Sequence, residues 1–156
     1  MRRVSRMTHT AVLRPCRGPE EYSRLVDIWA ASVEATHDFL APEDFQEIHS
    51  HLASDYFPHV TLHVADIDGV VVGFSGVAED GLEMLFLHPD AMGQGIGAAL
   101  LRHAIDHGVR RVDVNEQNSN AAAFYLHHGF EVASRDEVDD AGRPYPILHL
   151  RLKDAV

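Results

Sequence analysis

The strongest chemical signal in the sequence is a set of three glycines at alternate positions. Gly93, Gly95 and Gly97 follow a short apolar run, residues 82–87, and precede apolar residues at helical spacing. Glycines at the start of a helix allow backbone N–H groups to surround an anion, and the helix dipole stabilises its negative charge. The order of strand, glycine loop and helix therefore predicts a site for a phosphate-bearing ligand.

The same loop matches a pattern that binds dinucleotides. Gly93-x-Gly95-x-x-Ala98 fits G-x-G-x-x-G/A, and Asp113 lies at about the distance expected of the acid that binds a ribose. The position of the loop past the middle of the chain, the long connector 88–92 and the antiparallel hairpins argue against that fold. A nicotinamide cofactor and a purely structural loop remain as alternatives.

A histidine pair and an acidic tract are weaker signals. His103 and His107 are four residues apart, as two zinc ligands on a helix can be, but no third ligand lies near them in the sequence. We therefore predict no metal site. A cluster of acidic residues near the end of the chain is typical of a solvated face, and attraction of a cationic substrate is the alternative. It consists of Glu131, Asp136, Glu137, Asp139 and Asp140.

Strands and helices are mixed along the whole chain. Asp68-Gly69 is a turn dipeptide that favours a tight hairpin between strands 61–67 and 70–78. The hairpins predict an α+β (α/β mixed) fold with a partly antiparallel sheet. The other predicted strands are 11–14, 82–87, 111–114, 131–138 and 147–152, and the predicted helices are 19–34, one from about 42, 96–107 and 118–128.

Length and composition are typical of one globular domain. The chain has 156 residues, of which 46% are hydrophobic and 24% are charged. The formal net charge of −11 argues against nucleic acid and anionic membranes as partners, and it is compatible with an amine substrate. No run of about 18 apolar residues predicts a membrane span.

The ends of the chain and its cysteine content indicate the compartment. Residues 1–10 are predicted to be disordered, and their basic start lacks the apolar segment of a secretion signal. The lone Cys16 excludes a disulfide framework, and a reducing compartment is the simplest interpretation. We therefore expect a cytoplasmic protein.

Two motifs carry a resemblance to a known family. Residues 85–97, LFLHPDAMGQGIG, resemble motif A of the GNAT acyltransferases, which reads Q/R-x-x-G-x-G/A after a strand. Residues 118–130, NSNAAAFYLHHGF, resemble the second signature of that family, N-x-x-A-x-x-F/L-Y-x-x-x-G-F. Residues 29–40 and 138–146 are similar to a small bacterial subgroup, the YjaB-type proteins.

The resemblance covers nearly the whole chain after residue 11. It implies the GNAT fold over residues 11–153, a single domain with a central mixed, mostly antiparallel sheet flanked by helices. One position departs from motif A, because Met92 stands where glutamine or arginine is usual. The glycines and their backbone donors remain, so we expect pyrophosphate binding to persist with a lower affinity for the cofactor.

The resemblance implies acetyl-CoA as cosubstrate, bound in a splayed gap between the fourth and fifth strands. Backbone groups near Leu85, Phe86 and Leu87 would hold the pantetheine arm and the thioester carbonyl, and Asn118 would touch the amide chain. The loop amides would take the pyrophosphate. The remaining cofactor residues implied are Gly93, Gln94, Gly95, Ile96, Gly97, Ala98 and Phe124.

The resemblance also implies an acid and a base for acyl transfer. Tyr125 would protonate the departing thiolate, which a neutral phenol can do. Glu83 is expected to take the proton of the amine, often through water, and strand alternation places it on one face with Leu85 and Leu87. His37 and Asp38 are the other candidates for the base, and deprotonation by ordered water without a single base is a further alternative.

The acceptor side is predicted from a loop and a late tyrosine. His37, Asp38, Phe39 and Tyr145 are the expected substrate-binding residues. The implied activity is that of an acyl-CoA-dependent N-acetyltransferase acting on a primary amine, with a protein lysine, a protein N-terminus and a small amine all open. The alternative function is a non-catalytic acyl-CoA sensor. The last strands of this fold often pair between subunits, so a homodimer is a further expectation.

Overall fold

A seven-stranded mixed sheet organises residues 10–154, the part of the chain that the computed structural model describes. The strand order is β1-β2-β3-β4-β5-β7-β6, and every neighbouring pair is antiparallel except β4 and β5. The strands are β1 Val12–Pro15, β2 Thr61–Ile67, β3 Val70–Ala78, β4 Gly81–Leu87, β5 Arg111–Asn115, β6 Phe130–Asp136 and β7 Ile147–Leu152. The predicted mixed, mostly antiparallel sheet is confirmed.

Four α-helices flank the sheet: α1 Tyr22–Thr36, α2 Pro42–His51, α3 Ile96–Asp106 and α4 Ser119–His127. Pro19 opens a short turn before α1, and Pro42 is the first residue of α2, with acids following in its first turn. Irregular helical turns continue from α2 to His59. Within residues 10–154, no helix is long and apolar enough to cross a membrane.

The helices pack on both faces of the sheet. On one face, α1 buries Leu25, Ile28, Trp29 and Val33, at helical spacing, against sheet residues such as Phe74. On the other face, α3 and α4 cover a second group that includes Leu82, Leu101, Val112, Tyr125 and Phe130. Where β4 and β5 meet, the face under α3 and α4 is buried, whereas Glu83, Arg111 and Asp113 are exposed.

The hairpin between β2 and β3 forms as the sequence predicts. Asp68 and Gly69 have φ angles of 53° and 86°, so both lie in the left-handed region that a primed two-residue turn requires. The bounds of β2, β3 and β7 agree with the prediction, whereas β6 begins earlier and ends earlier than 131–138. Of the predicted loose segment 1–10, residues 1–9 lie outside the described part of the chain.

The parallel pair β4–β5 separates soon after it begins. Only Gly81 with Arg111 and Leu82 with Val112 are paired, whereas β5 pairs with β7 along its full length. Beyond Leu82, the edge of β4 therefore faces a gap instead of a strand. This is the splayed gap that the resemblance implied.

A bulge in β4 corrects one expectation about Glu83. Gly76 pairs with Met84 and Val77 with Leu82, so Glu83 is an extra residue opposite β3. As a result Leu82, not Glu83, shares the α3-covered face with Leu85 and Leu87. The expected alternation of Glu83 with those two leucines is wrong, because a bulge interrupts the two-residue period.

Candidate active site

The glycine loop presents a run of free N–H donors at the start of α3. Within residues 10–154, the N–H groups from Gly93 to Ala98 make no hydrogen bond, and the first helical bond is from Ala99 to the carbonyl of Gly95, at 3.1 Å. The positive end of the helix dipole adds to these donors. The loop is therefore built to receive an anion.

Two of the three loop glycines are required by their backbone conformation, whereas the third could be replaced by alanine. Gly93 and Gly95 have φ angles of 80° and 83°, and no atom would lie within 4 Å of an added Cβ at either. Their requirement for glycine is thus conformational. Gly97 has no positive φ, and a Cβ there would lie 3.5 Å from Leu87 Cδ1, an ordinary contact. This accounts for the G/A choice at the last position of motif A.

A cleft of about 480 Å³ runs along the loop into the gap beside β4. Its walls bring together most of the predicted cofactor residues from β4, the glycine loop and α4. Gln94 and Ile96 are not among the lining side chains, and Ile96 is buried against the sheet. The predicted residues that do line the cleft are Leu85, Phe86, Leu87, Gly93, Gly95, Gly97, Ala98, Asn118, Phe124 and Tyr125.

Met92 lies at the mouth of this cleft. Its side chain is 37% exposed and belongs to the lining. A thioether offers no charge or strong donor to a phosphate. Binding of a pyrophosphate must therefore depend on the backbone donors of the loop.

Tyr125 lies where the cleft meets a smaller cavity of about 160 Å³ between β4 and β5. Its side chain packs against Phe124 and Phe130 and is 7% exposed. No group within residues 10–154 hydrogen-bonds to its hydroxyl, and burial raises the pKa of that hydroxyl above its ordinary value. The phenol stays protonated and has a proton to donate.

Glu83 borders the same small cavity and a larger groove on its far side. Burial raises the pKa of its carboxyl, and so do the nearby charges of Asp113 and Asp140, against the opposing effect of Arg111. A carboxylate with a raised pKa is a better proton acceptor near neutral pH. The bulge that displaces Glu83 from the α3-covered face thus leaves it beside the gap.

The groove has a volume of about 490 Å³ and an acidic wall. Of the predicted acidic tract, Asp139 and Asp140 line it, whereas Glu131, Asp136 and Glu137 pair with Arg151, His149 and Arg135 instead. Asp139 is bound to Arg143 at 3.2 Å. Among the groove residues that the sequence analysis did not assign to this side are Trp29, Asp55, His59, Asp113 and Arg143.

Of the four predicted acceptor-side residues, His37 lines the small cavity. Asp38 is exposed, and neither it nor Phe39 lines the cleft, the groove or the small cavity. Tyr145 is 7% exposed, and its hydroxyl donates to Asp44 and accepts from the N–H of Ala41. Its hydroxyl is therefore engaged in holding the loop after α1.

The structure adds a third histidine to the predicted pair. The ring of His63 on β2 lies 4.6 Å from that of His103, which stacks on His107 at 4.2 Å. Among residues 10–154, however, no group of three or more ligands is arranged to hold a metal ion. Sequence spacing could not have found His63, because tertiary packing alone brings β2 to α3.

The chain is similar in sequence to known proteins. The family model of the acetyltransferase (GNAT) domain matches residues 58–132. The peptidyl-lysine N-acetyltransferase YjaB of Salmonella typhimurium is 44% identical over 133 residues, which cover 84% of this chain and 91% of that protein. Its counterpart from Escherichia coli is 42% identical over 133 residues, covering 84% of this chain and 90% of that protein.

The fold agrees with a solved structure of such a relative. The solution structure of apo-form YjaB from Escherichia coli matches with a TM-score of 0.85 at 39% identity, and the match covers 93% of this chain and 99% of that one. The mostly antiparallel sheet excludes the dinucleotide-binding alternative, which needs a parallel sheet. With its free-amide loop, its β4–β5 gap and these relatives, the chain belongs to the GNAT family of N-acetyltransferases.

Proposed function

We propose that this protein acetylates lysine side chains of other proteins by direct transfer from acetyl-CoA. The observation that carries this proposal is the arrangement of three spaces around one gap in the sheet. The cofactor cleft and the acidic groove open on either side of the small cavity where Tyr125 and Glu83 lie. A thioester entering from one side and an amine entering from the other would meet there.

Acetyl-CoA is the acyl donor of this family, and the cleft suits it. The free N–H groups of the glycine loop would bind the pyrophosphate, and the unpaired edge of β4 would hydrogen-bond to the pantetheine arm. Asn118 and Phe124 border the path of that arm. The pantetheine arm would take the position of a strand paired with β4 beyond Leu82.

The chemistry follows from the groups at the gap. Glu83, directly or through water, would take a proton from the ammonium, and the neutral amine would attack the thioester carbonyl. A backbone N–H of β4 would stabilise the oxyanion. Collapse of the tetrahedral intermediate would break the C–S bond, and Tyr125 would give its proton to the thiolate. The attacking nitrogen would release its second proton through water, and the Tyr125 phenolate would take it up. The products are the amide and CoA.

A lysine of a protein is the acceptor that the observations favour. The relatives at 44% and 42% identity are named peptidyl-lysine N-acetyltransferases. The acidic groove would attract an ammonium through Asp55, Asp113 and Asp140. A protein N-terminus and a small amine remain the competing acceptors. The cytoplasmic location and the homodimer stay predictions.

A competition between acceptor classes tests the proposal. The protein is incubated with acetyl-CoA and equal concentrations of lysine peptides with blocked N-termini, peptides with only a free N-terminus, and a polyamine. CoA release is measured, and products are identified by mass spectrometry. We expect acetylation of the lysine peptides, with one CoA released per acetyl group. Preference for the polyamine would overturn the acceptor, and binding of acetyl-CoA without turnover of any amine would support the sensor alternative.

A further inference from the structure

A chain of hydrogen bonds joins the end of α1 to the start of α4. The hydroxyl of Thr36 lies 2.7 Å from the carbonyl of Ser32 and 2.7 Å from His37 Nδ1. His37 Nε2 lies 3.4 Å from Asn118 Nδ2. The other side-chain atom of Asn118, Oδ1, accepts from the N–H of Ala121 at 3.2 Å and caps α4.

Only one placement of protons satisfies every hydrogen bond in this series. The single hydroxyl proton of Thr36 goes to the Ser32 carbonyl, so His37 Nδ1–H must donate to Thr36. His37 Nε2 then carries a lone pair, which accepts from the amide of Asn118. Since the cap fixes Asn118 Oδ1, the amide cannot turn over without losing two bonds. Burial lowers the pKa of His37 and keeps its ring neutral.

We propose that His37 is a positioning residue that holds the side-chain amide of Asn118 in the orientation that binds the cofactor. This inference rests on the proposed function. Asn118 lines the cofactor cleft, and its amide has two N–H groups. With one donated to His37, the second is left for a carbonyl of the pantetheine arm. Both nitrogens of His37 are engaged, so it does not serve as the base.

Ring packing also holds His37 in place. Its ring packs 5.1 Å from that of Phe39, which in turn lies 6.0 Å from Tyr145. The Tyr145 hydroxyl anchors to Asp44 and to the N–H of Ala41. Tyr145, Phe39 and His37 therefore pack in one row, and His37 at its end contacts Asn118.

The tautomer of His37 can be tested without any turnover. Nitrogen-15 spectra of the histidine side chains distinguish Nδ1–H from Nε2–H, and a His37→Phe variant assigns the signal. We expect neutral His37 with the proton on Nδ1 at pH 7. A proton on Nε2 would overturn the inference, as would a charged ring, because neither can accept from Asn118.

Calorimetric titration with acetyl-CoA tests the functional consequence. His37→Phe keeps a ring against Phe39 but removes the acceptor for Asn118, and we expect acetyl-CoA to bind about 3- to 10-fold more weakly, the range of one hydrogen bond. At saturating acetyl-CoA, kcat should stay within about twofold of the wild-type value. His127→Phe is the control, because His127 is exposed on α4 and makes no hydrogen bond within residues 10–154 through its ring.

Asn118→Ser completes the cycle. Its hydroxyl oxygen can still cap α4, but it lacks the side-chain amide that donates to His37 Nε2. We expect His37→Phe to have no further effect on acetyl-CoA binding in this background. Equal effects of His37→Phe in both backgrounds would contradict the inference. Failure of the wild-type protein to bind acetyl-CoA would instead contradict the proposed function.

Discussion

Replacing Gly95 with alanine should weaken acetyl-CoA binding, whereas the same change at Gly97 should not. Gly95 precedes α3 with φ 83° and ψ 4°, a left-handed conformation that costs an L-residue about 1–2 kcal/mol. No atom lies within 4 Å of the added Cβ, so steric contact adds nothing to this cost. The whole penalty belongs to the backbone.

The penalty should appear in binding rather than in folding. Within residues 10–154, the N–H groups of residues 93–95 make no backbone hydrogen bond, and the Gly95 carbonyl accepts one, from Ala99. In the free protein alanine can therefore relax to a negative φ with only that one bond to adjust. Cofactor binding must then restore the left-handed conformation. About 1–2 kcal/mol corresponds to an affinity about 5- to 30-fold lower.

Gly97→Ala is the matched control. Gly97 lies in the first turn of α3 without a positive φ, and alanine favours helix over glycine by up to about 1 kcal/mol. We expect unchanged or higher stability in urea and an acetyl-CoA affinity within about twofold, since the new methyl makes only ordinary contacts with Leu87 and Phe124. Calorimetric titration and urea unfolding measure both quantities. Equal losses of affinity in the two variants would refute the conformational account of Gly95.

Three further predictions concern single side chains. Tyr125→Phe should lower kcat about 100-fold or more while leaving acetyl-CoA affinity unchanged, as measured by CoA release and calorimetry; unchanged turnover would exclude the acid role. Because the pKa of Glu83 is raised, kcat/KM should fall as pH drops through that raised value, and Glu83→Gln should remove this limb from the pH profile. Burial lowers the pKa values of His63 and His103, and repulsion from His107 adds to this at both rings, with His103 also acting on His63. At these two positions the unfolded chain therefore binds more protons below about pH 6.5. Their contribution to the free energy of unfolding should therefore be fully present above about pH 6.5 and decline below it. The loss of stability on acidification should be smaller in His103→Gln than in the wild-type protein, which urea titrations at several pH values would test.

The elements of the fold could be predicted because their signals are local. Asp68-Gly69 sets its own turn, and the period of the apolar residues in α1 sets its buried face. The glycine loop is equally local, since its φ angles depend on residues within the loop. The two family motifs then gave the arrangement of these elements, because the fold of that family is known.

What the sequence could not predict depends on contacts between distant segments. The bulge at Glu83 is a property of its pairing with β3, and nothing in LEMLF marks the extra residue. The partner of the Tyr145 hydroxyl, Asp44, lies about a hundred residues earlier in the chain, so no sequence pattern indicated this bond. His37 and Asn118 meet for the same reason: the end of one helix packs beside the start of another.

The short pairing of β4 with β5 has a consequence for the amount of folded protein in a cell. The sheet is held across that seam by two residue pairs, and acetyl-CoA would supply the missing partner for the rest of β4. A ligand that binds only the folded state stabilises it by about 2.7 kcal/mol at a concentration 100 times its dissociation constant. We expect resistance to unfolding and proteolysis to rise and fall with the supply of acetyl-CoA. The enzyme would then persist when its cosubstrate is plentiful and be cleared when it is scarce.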